Sequence, residues 1–395
     1  MNEQDQAFNE WLVDIRRDFH AHPELAFEEH RTTKKLTGLL EGLGIEVQRF
    51  ETHTGVVGLL RGTSAGPTIA LRADIDALPV TELGETTYRS RHKGRMHACG
   101  HDANAAIMVG VARRLVDSGT MLRCRGNVKF IFQPAEEKLF GAQAMIEAGV
   151  LEAPKVDRLL AGHMSPDLPA GRIGVFKNIG YASSDRFEIT VTGKGTHGAR
   201  PEEGNDPIVA GAGLVTLLQS VVSRNIKPTL AGVITVGKFQ GGTAGNVIPE
   251  SAAMTGTIRA LDAGVRQTLI RRLKEVTAGI AGTYGVKCRV KVIDGSPVLV
   301  TDEAVSDFVY ETAREVVGPE NVSYVPPIMG SEDFAFFTLR CPATIIRLGC
   351  NNPSAGIVHP LHSPYFDIDE RVLTVGVDVF SRAVERYLTN PETSI

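Results

Sequence analysis

The sequence predicts an α/β fold: a doubly wound, mostly parallel sheet with a smaller α+β unit inserted into it. Three observations carry this expectation. Short apolar runs alternate with helical patterns from Thr68 to Met164, the rhythm of βαβ units. Acidic and histidine residues collect just past the ends of those runs, where open α/β sheets place their ligands. Between residues 183 and 295 the order changes to β-α-β-β-α-β, the ferredoxin-like split βαβ arrangement.

In chain order, Thr68–Asp74 is a short apolar run that ends in acids, and Ala103–Val116 carries apolar residues at helical spacing. Val128–Phe132 reads as a second strand and Gly141–Gly149 as a short helix closed by glycine. Arg158–Met164 reads as a third strand. Asp74, Asp76, Glu136, Glu137 and His163 follow these strands. In the inserted unit, Arg186–Gly193 alternates like a half-buried strand and Asp206–Ser223 is an apolar helix. Gly232–Phe239 and Ala252–Ala260 are strands, Val265–Tyr284 is a basic amphipathic helix, and Lys287–Ile293 alternates again. The α/β rhythm then returns with helix Asp302–Val316, strand Thr344–Leu348 and helix Glu370–Tyr387. The expected domains are therefore 1–182 with 296–395, and the insertion 183–295.

A chain of 395 residues exceeds what one hydrophobic core usually serves. Its 43% hydrophobic and 22% charged residues are ordinary for soluble globular proteins. A net charge of −4 gives no electrostatic ground for a nucleic-acid or anionic-membrane partner. No uninterrupted apolar stretch is long enough to span a bilayer, and the polar start MNEQDQAFNE does not read as a secretory signal. The five cysteines (Cys99, Cys124, Cys288, Cys341 and Cys350) are odd in number and scattered. That argues for a reducing cytoplasm rather than a disulfide framework, and the lack of a C-x-x-C pair argues against a structural zinc finger.

Three groups of residues could carry chemistry: Cys99, His101 and Asp102 before a helix; Glu136 and Glu137 after a strand; and His163 with the distant His362. Two adjacent carboxylates that converge would repel unless a cation or proton stands between them. A divalent metal site resolves this, with one carboxylate as ligand and the other free to move protons. Zinc accepts cysteine, histidine and carboxylate ligands, and manganese, cobalt or nickel could replace it. Each feature alone has an ordinary explanation: a Glu-Glu pair is usually solvated surface, a strand-end histidine is usually hydrogen-bonded, and a cysteine is usually a small buried hydrophobe. Cys99 thus remains a nucleophile, a ligand or a core residue at this point. Asp102 reads as orienting its neighbours or starting the helix. In the inserted unit, His197 and Asn246 lie in glycine-rich turns and Arg259 on a strand. If they faced the cleft, the first two could donate to an oxyanion and Arg259 could hold a carboxylate.

Nine segments occur in order: RRDFHAHPELAFEE (16–29), LRADIDALP (71–79), MHACGHD (96–102), QPAEE (133–137), AGHM (161–164), GKGTHGARP (193–201), GNVIP (245–249), MGSEDF (329–334) and HPLHSP (359–364). Together they resemble the aminoacylase/carboxypeptidase superfamily of co-catalytic metal amidohydrolases, in its hippurate hydrolase, N-acyl-L-amino acid amidohydrolase and auxin-conjugate hydrolase branch. The resemblance spans nearly the whole chain. It implies a catalytic domain with two divalent metals, zinc first among them, and an inserted lid that mediates a homodimer or a dimer of dimers. Carried over by motif, Cys99, His101, Glu137, His163 and His362 are metal ligands and Glu136 is the general base. His197 from a partner subunit completes the site, and Asn246 and Arg259 bind substrate. The implied reaction cleaves N-acyl (acetyl, benzoyl or aryl-acyl) L-amino acids by attack of a metal-bound hydroxide. A dipeptidase or carboxypeptidase specificity on the same chemistry, and a hydrolase with Cys99 as nucleophile, stand as alternatives.

Overall fold

The computed structural model describes residues 3–389. The chain forms two compact units. The first takes in the described residues up to Gly180, then Val300–Pro326 and the described residues from Phe336 onward; the second takes in Tyr181–Leu299 and Pro327–Ala335. The return of Pro327–Ala335 to the second unit has no counterpart in the boundary expected at residue 296.

In the first unit the strands are β1 (Glu46–Arg49), β2 (Val56–Arg61), β3 (Thr68–Asp74), β4 (Asn127–Gln133), β5 (Arg158–Pro169) and β6 (Ile173–Val175). Its helices before β6 are α1 (Glu3–Ala21), α2 (His30–Gly42), α3 (His101–Asp117) and α4 (Gly141–Glu147). The central strands β4, β3 and β5 run parallel. They are buried along most of their length because helices cover both faces, which is why β3 and β4 read as near-continuous apolar runs. α3 is alanine-rich and buried from His101 to Ala112; its small side chains let it lie close to the sheet and to α1. The expectation of a mostly parallel sheet holds, with antiparallel strands β1 and β2 added at one edge.

The second unit contains β7 (Ser183–Thr192), α5 (Pro207–Asn225), β8 (Gly232–Gly241), β9 (Ser251–Ala260), α6 (Ala263–Tyr284) and β10 (Lys287–Ile293). The sheet order is β8-β9-β7-β10, antiparallel throughout, as in a ferredoxin-like fold. Phe187, Ile189 and Val191 of β7 are buried with Leu214 and Leu218 of α5 and Leu269 and Leu273 of α6, so the period-2 strand and the 3.6-period helices meet at one core. Asp206 caps α5 by accepting from the Ile208 and Val209 amides, and Asp262 caps α6 through Val265. Among the described residues, α5 is the one helix long and apolar enough to cross a membrane by length and composition. Its apolar run is interrupted by Thr216, Gln219, Ser220, Ser223 and Arg224. Its inner face, Ala210, Leu214, Leu218 and Val221, is built into the core of this unit.

The chain then returns to the first unit as α7 (Glu303–Val317), β11 (Val322–Tyr324), β12 (Ala343–Asn351) and α8 (Arg371–Thr389). β12 lies parallel to β5, and the complete sheet order is β1-β2-β4-β3-β5-β12-β6-β11. α8 packs on α3 through its apolar stripe, including Val377, Phe380 and Val384.

Candidate metal centre

β3 ends in Asp74, the turn after β4 supplies Glu136 and Glu137, and two loops supply Cys99 and His362; His163, expected at a strand end, lies midway along β5, which runs on to Pro169. Local backbone geometry brings them together. Gly100 has φ +84, and a Cβ there would lie 2.6 and 2.8 Å from Met164 side-chain atoms. Both conformation and space therefore require glycine between Cys99 and His101. Ala135 and Leu139 take left-handed conformations (φ 56 and 60) on either side of a single 3-10 turn, Glu136–Lys138. On that tight turn the two glutamates are freed from the opposite-facing alternation of a strand. His362 is also left-handed (φ 66), and its amide donates to the Ala98 carbonyl at 2.7 Å, fastening it to the Cys99 turn.

The five residues expected as ligands fall into two triads whose donor atoms lie within 4.8 Å of one another: Cys99 with His101 and His163, and Cys99 with Glu137 and His362. Cys99 is common to both. Its sulfur is 3.5 Å from His163 Nε2, and His362 Nε2 is 3.3 Å from a Glu137 oxygen. Glu136 stands beside them, its Oε2 4.0 Å from His101 Nε2. Both buried imidazoles face the cluster through Nε2, because Nδ1 is occupied elsewhere. His101 Nδ1 donates to the Asp76 carbonyl at 2.9 Å, and His163 Nδ1 donates to the Met164 carbonyl at 2.9 Å. Metal-bound histidines are commonly oriented this way by a carbonyl or carboxylate behind them.

The donor set fits a cation. His101 Nε2 is fully buried and has no hydrogen-bond partner, which is costly unless something binds there. Burial disfavours the imidazolium, but Asp74, Asp76 and Glu137 outweigh it and push His101 up to about 10. Burial raises the Cys99 thiol well above its usual range, and the charges of Glu137, Glu136 and Asp74 raise it further. Left to itself Cys99 is therefore a neutral thiol, a poor nucleophile. A divalent cation would replace both protons and neutralise the surrounding carboxylates. Asp74 adds negative charge from the side: it accepts from Arg72 at 2.8 Å and Asn104 at 2.7 Å, and lies 3.8 Å from His101 Nε2.

Asp76, Glu29, Arg16 and His20 have no specific role in the sequence reading, and Asp102 only that of orienting its neighbours or starting the helix. Asp76 accepts the Glu136 and Glu137 amides at 3.0 and 3.1 Å while also touching His101, so one carboxylate fixes the glutamate turn against a histidine. Glu29 is fully buried; it accepts the Ala135 amide at 3.0 Å and the Thr54 hydroxyl. Asp102 does not cap α3. Its Oδ2 accepts Arg16 Nε and binds His20 Nδ1, both at 2.8 Å, anchoring α1 to α3 behind the site. Arg16 belongs to the RRDFHAHPELAFEE segment, so the signal was present, but its partner is 86 residues away.

Burial raises Glu29 to about 7, with the Asp76 charge adding to it and the Thr54 hydrogen bond opposing. A carboxyl whose folded value is raised stabilises the fold fully below its unfolded value and loses that contribution as pH rises to the folded value. In the metal-free protein, Glu29 should therefore cost about 3 kcal/mol of stability between roughly pH 4.5 and pH 7. Urea unfolding of wild type and Glu29→Gln across this window checks it. The wild type should lose stability that the variant keeps; parallel curves would contradict the assignment.

Within the second unit, His197 and Asn246 are brought together. Thr196–His197 pairs with Val247–Ile248, and the Gly198 amide donates to the Asn246 carbonyl at 2.8 Å. Both side chains are exposed. Arg259 is half-buried, and its Nη1 donates to the Met329 carbonyl at 3.0 Å and contacts Ser331 Oγ at 3.3 Å.

Residues 70–386 match the model of peptidase family M20/M25/M40. An N-acetylcysteine deacetylase of Bacillus subtilis is 39% identical over 386 residues, covering 95% of this chain and 97% of that protein. Thermostable carboxypeptidase 2 of Saccharolobus solfataricus is 39% identical over 375 residues, 94% of each chain. Among solved structures, a dinuclear metal binding peptidase of the M20 family from Bacillus subtilis superposes with a TM-score of 0.84 at 36% identity, covering 97% of this chain and 99% of that one.

Proposed function

The chain belongs to peptidase family M20/M25/M40 and is a metal-dependent amidohydrolase, and from that premise we propose that it cleaves the amide bond of N-acyl L-amino acids. The observation that carries the reading is the pair of triads sharing Cys99, with Glu136 beside them. Cys99, His101 and His163 would hold one divalent cation, and Cys99, Glu137 and His362 the other, with zinc the first choice and manganese, cobalt or nickel able to replace it. When bound, the two cations would polarise the amide carbonyl and acidify a water molecule.

The chain's own residues supply the remainder. Glu136 is buried at the edge of both triads, and its turn is fixed by Asp76. As general base it would take a proton from the attacking water and then deliver it to the leaving nitrogen, since an amine leaves far better protonated. Asp76 and the Met164 carbonyl keep Nε2 of His101 and His163 turned to the cluster. His197 is assigned to the developing oxyanion and Asn246 and Arg259 to the substrate; in this reading His197 comes from a second copy of the chain. The exposed Ile208, Val209 and Leu217 of α5 support a homodimer formed through the second unit. Five unpaired cysteines support a cytoplasmic setting.

A carboxypeptidase specificity is the second reading, favoured by the Saccharolobus relative. A hydrolysis screen of N-acetyl, N-benzoyl and indole-acetyl amino acids beside dipeptides, after reconstitution with zinc, manganese, cobalt or nickel, separates the two. N-acyl amino acids should be turned over fastest; preferential cleavage of peptides would overturn the proposal. A tight chelator should abolish activity and added metal restore it, and full activity in metal-free protein would remove the metal from the reaction.

A further inference from the structure

Outside the metal cluster, the first unit carries a cleft of about 860 Å³ between the start of α2, the β1–β2 loop and α4, within the range of small-molecule sites. Two of its walls are the rings of Phe27, which is exposed, and Phe50, which is half-buried. Lys34 and Arg49 also line it, and neither pairs with an acid among the described residues. Glu51 is the one acidic residue of the lining.

His53 supplies the observation that points to a ligand. It is 8% exposed and lies against Phe50, with ring centroids 4.5 Å apart. Its Nδ1 accepts the Gly55 amide at 3.1 Å. Nδ1 therefore carries no hydrogen, and the proton of the ring must sit on Nε2. Nε2 is buried with no hydrogen-bond partner, leaving a donor without an acceptor. Burial lowers the His53 pKa, which keeps the ring in this neutral form. A lone N–H donor, two free cations and two aromatic faces ask for a ligand with a planar anionic head and an apolar ring.

We propose that this cleft is a second binding site, separate from the metal cluster, that takes an aryl carboxylate: the ring between Phe27 and Phe50, the carboxylate toward His53, Lys34 and Arg49. The assignment does not depend on how the metal cluster is read. The test measures binding, not hydrolysis, so the two can fail separately. 4-Fluorobenzoate is titrated into the full-length, metal-loaded enzyme and followed by fluorine NMR, in wild type and in Lys34→Ala/Arg49→Ala. Both substituted side chains are exposed, so the fold is not at stake. The wild type should show a saturable class of sites that weakens about tenfold or more in the double variant, as expected for losing two solvent-exposed charged contacts. Turnover without benzoate should be the same in both. His53→Phe should weaken the same class. An isotherm unchanged by the double variant would overturn the site. Displacement by inorganic phosphate as effective as by unlabelled benzoate would overturn the aromatic assignment.

Discussion

Glu136→Gln should lower kcat of the metal-loaded enzyme by about 10²–10⁴-fold, the range supplied by a positioned general base, and leave the bound metal unchanged. The substitution keeps the size of the side chain and removes its capacity to take a proton. Glu136 belongs to neither Cys99 triad, and the turn that carries it is held through its own backbone amide by Asp76. The exchange should therefore disturb neither the ligands nor the loop. KM should change far less than kcat, because the lost interaction is made during the reaction. Near-wild-type turnover with full metal content would take Glu136 out of the role. Loss of metal together with activity would make it a ligand instead.

Cys99→Ser should weaken both cation sites at once. Cys99 is the one residue common to the two triads, and a serine hydroxyl of similar size ionises far less readily than a thiol bound to metal. The loss at each site should exceed the roughly 10–100-fold that follows from removing a supporting residue behind a ligand. His163→Ala should instead weaken one site and spare the other, since His163 stands in only one of the Cys99 triads. Competition with a fluorescent chelator, run on all three proteins, reads both affinities. Equal, single-site losses in Cys99→Ser and His163→Ala would show that Cys99 does not serve both ions.

Much of the sheet and the cluster was legible because strand-end positions carry chemistry in open α/β folds. Asp74, Glu136 and His163 follow apolar runs that could be read directly, and the periods of 2 and 3.6 separated β7 from α5. His362 was different: it sits in no periodic element and lies 263 residues from Cys99 by number, so only its HPLHSP context pointed to it. The parts that stayed hidden depend on contacts between distant residues. The edge strand β1 (EVQR) is short and mostly exposed, without the buried apolar run that marked β3 and β4, while β2 (VVGLLR) is buried over Val56–Leu59 and pairs antiparallel, outside the βαβ rhythm that guided the reading. Asp102 reads equally well as a helix starter until Arg16 and His20 are seen holding it. Glu29 has no place in the sequence reading beyond the end of the RRDFHAHPELAFEE segment, yet it is buried and ties Thr54 to Ala135. α5 reads as an apolar helix, and only the packing shows which face is buried and that its outer face keeps Val209 and Leu217 exposed.

Elemental analysis of the reconstituted wild-type enzyme after removal of free metal, with activity measured on the same samples as the metal is withdrawn, tests the central claim most directly. Two divalent ions should be bound per chain, and activity should fall as they leave. Unchanged turnover in chains that bind none would contradict the account.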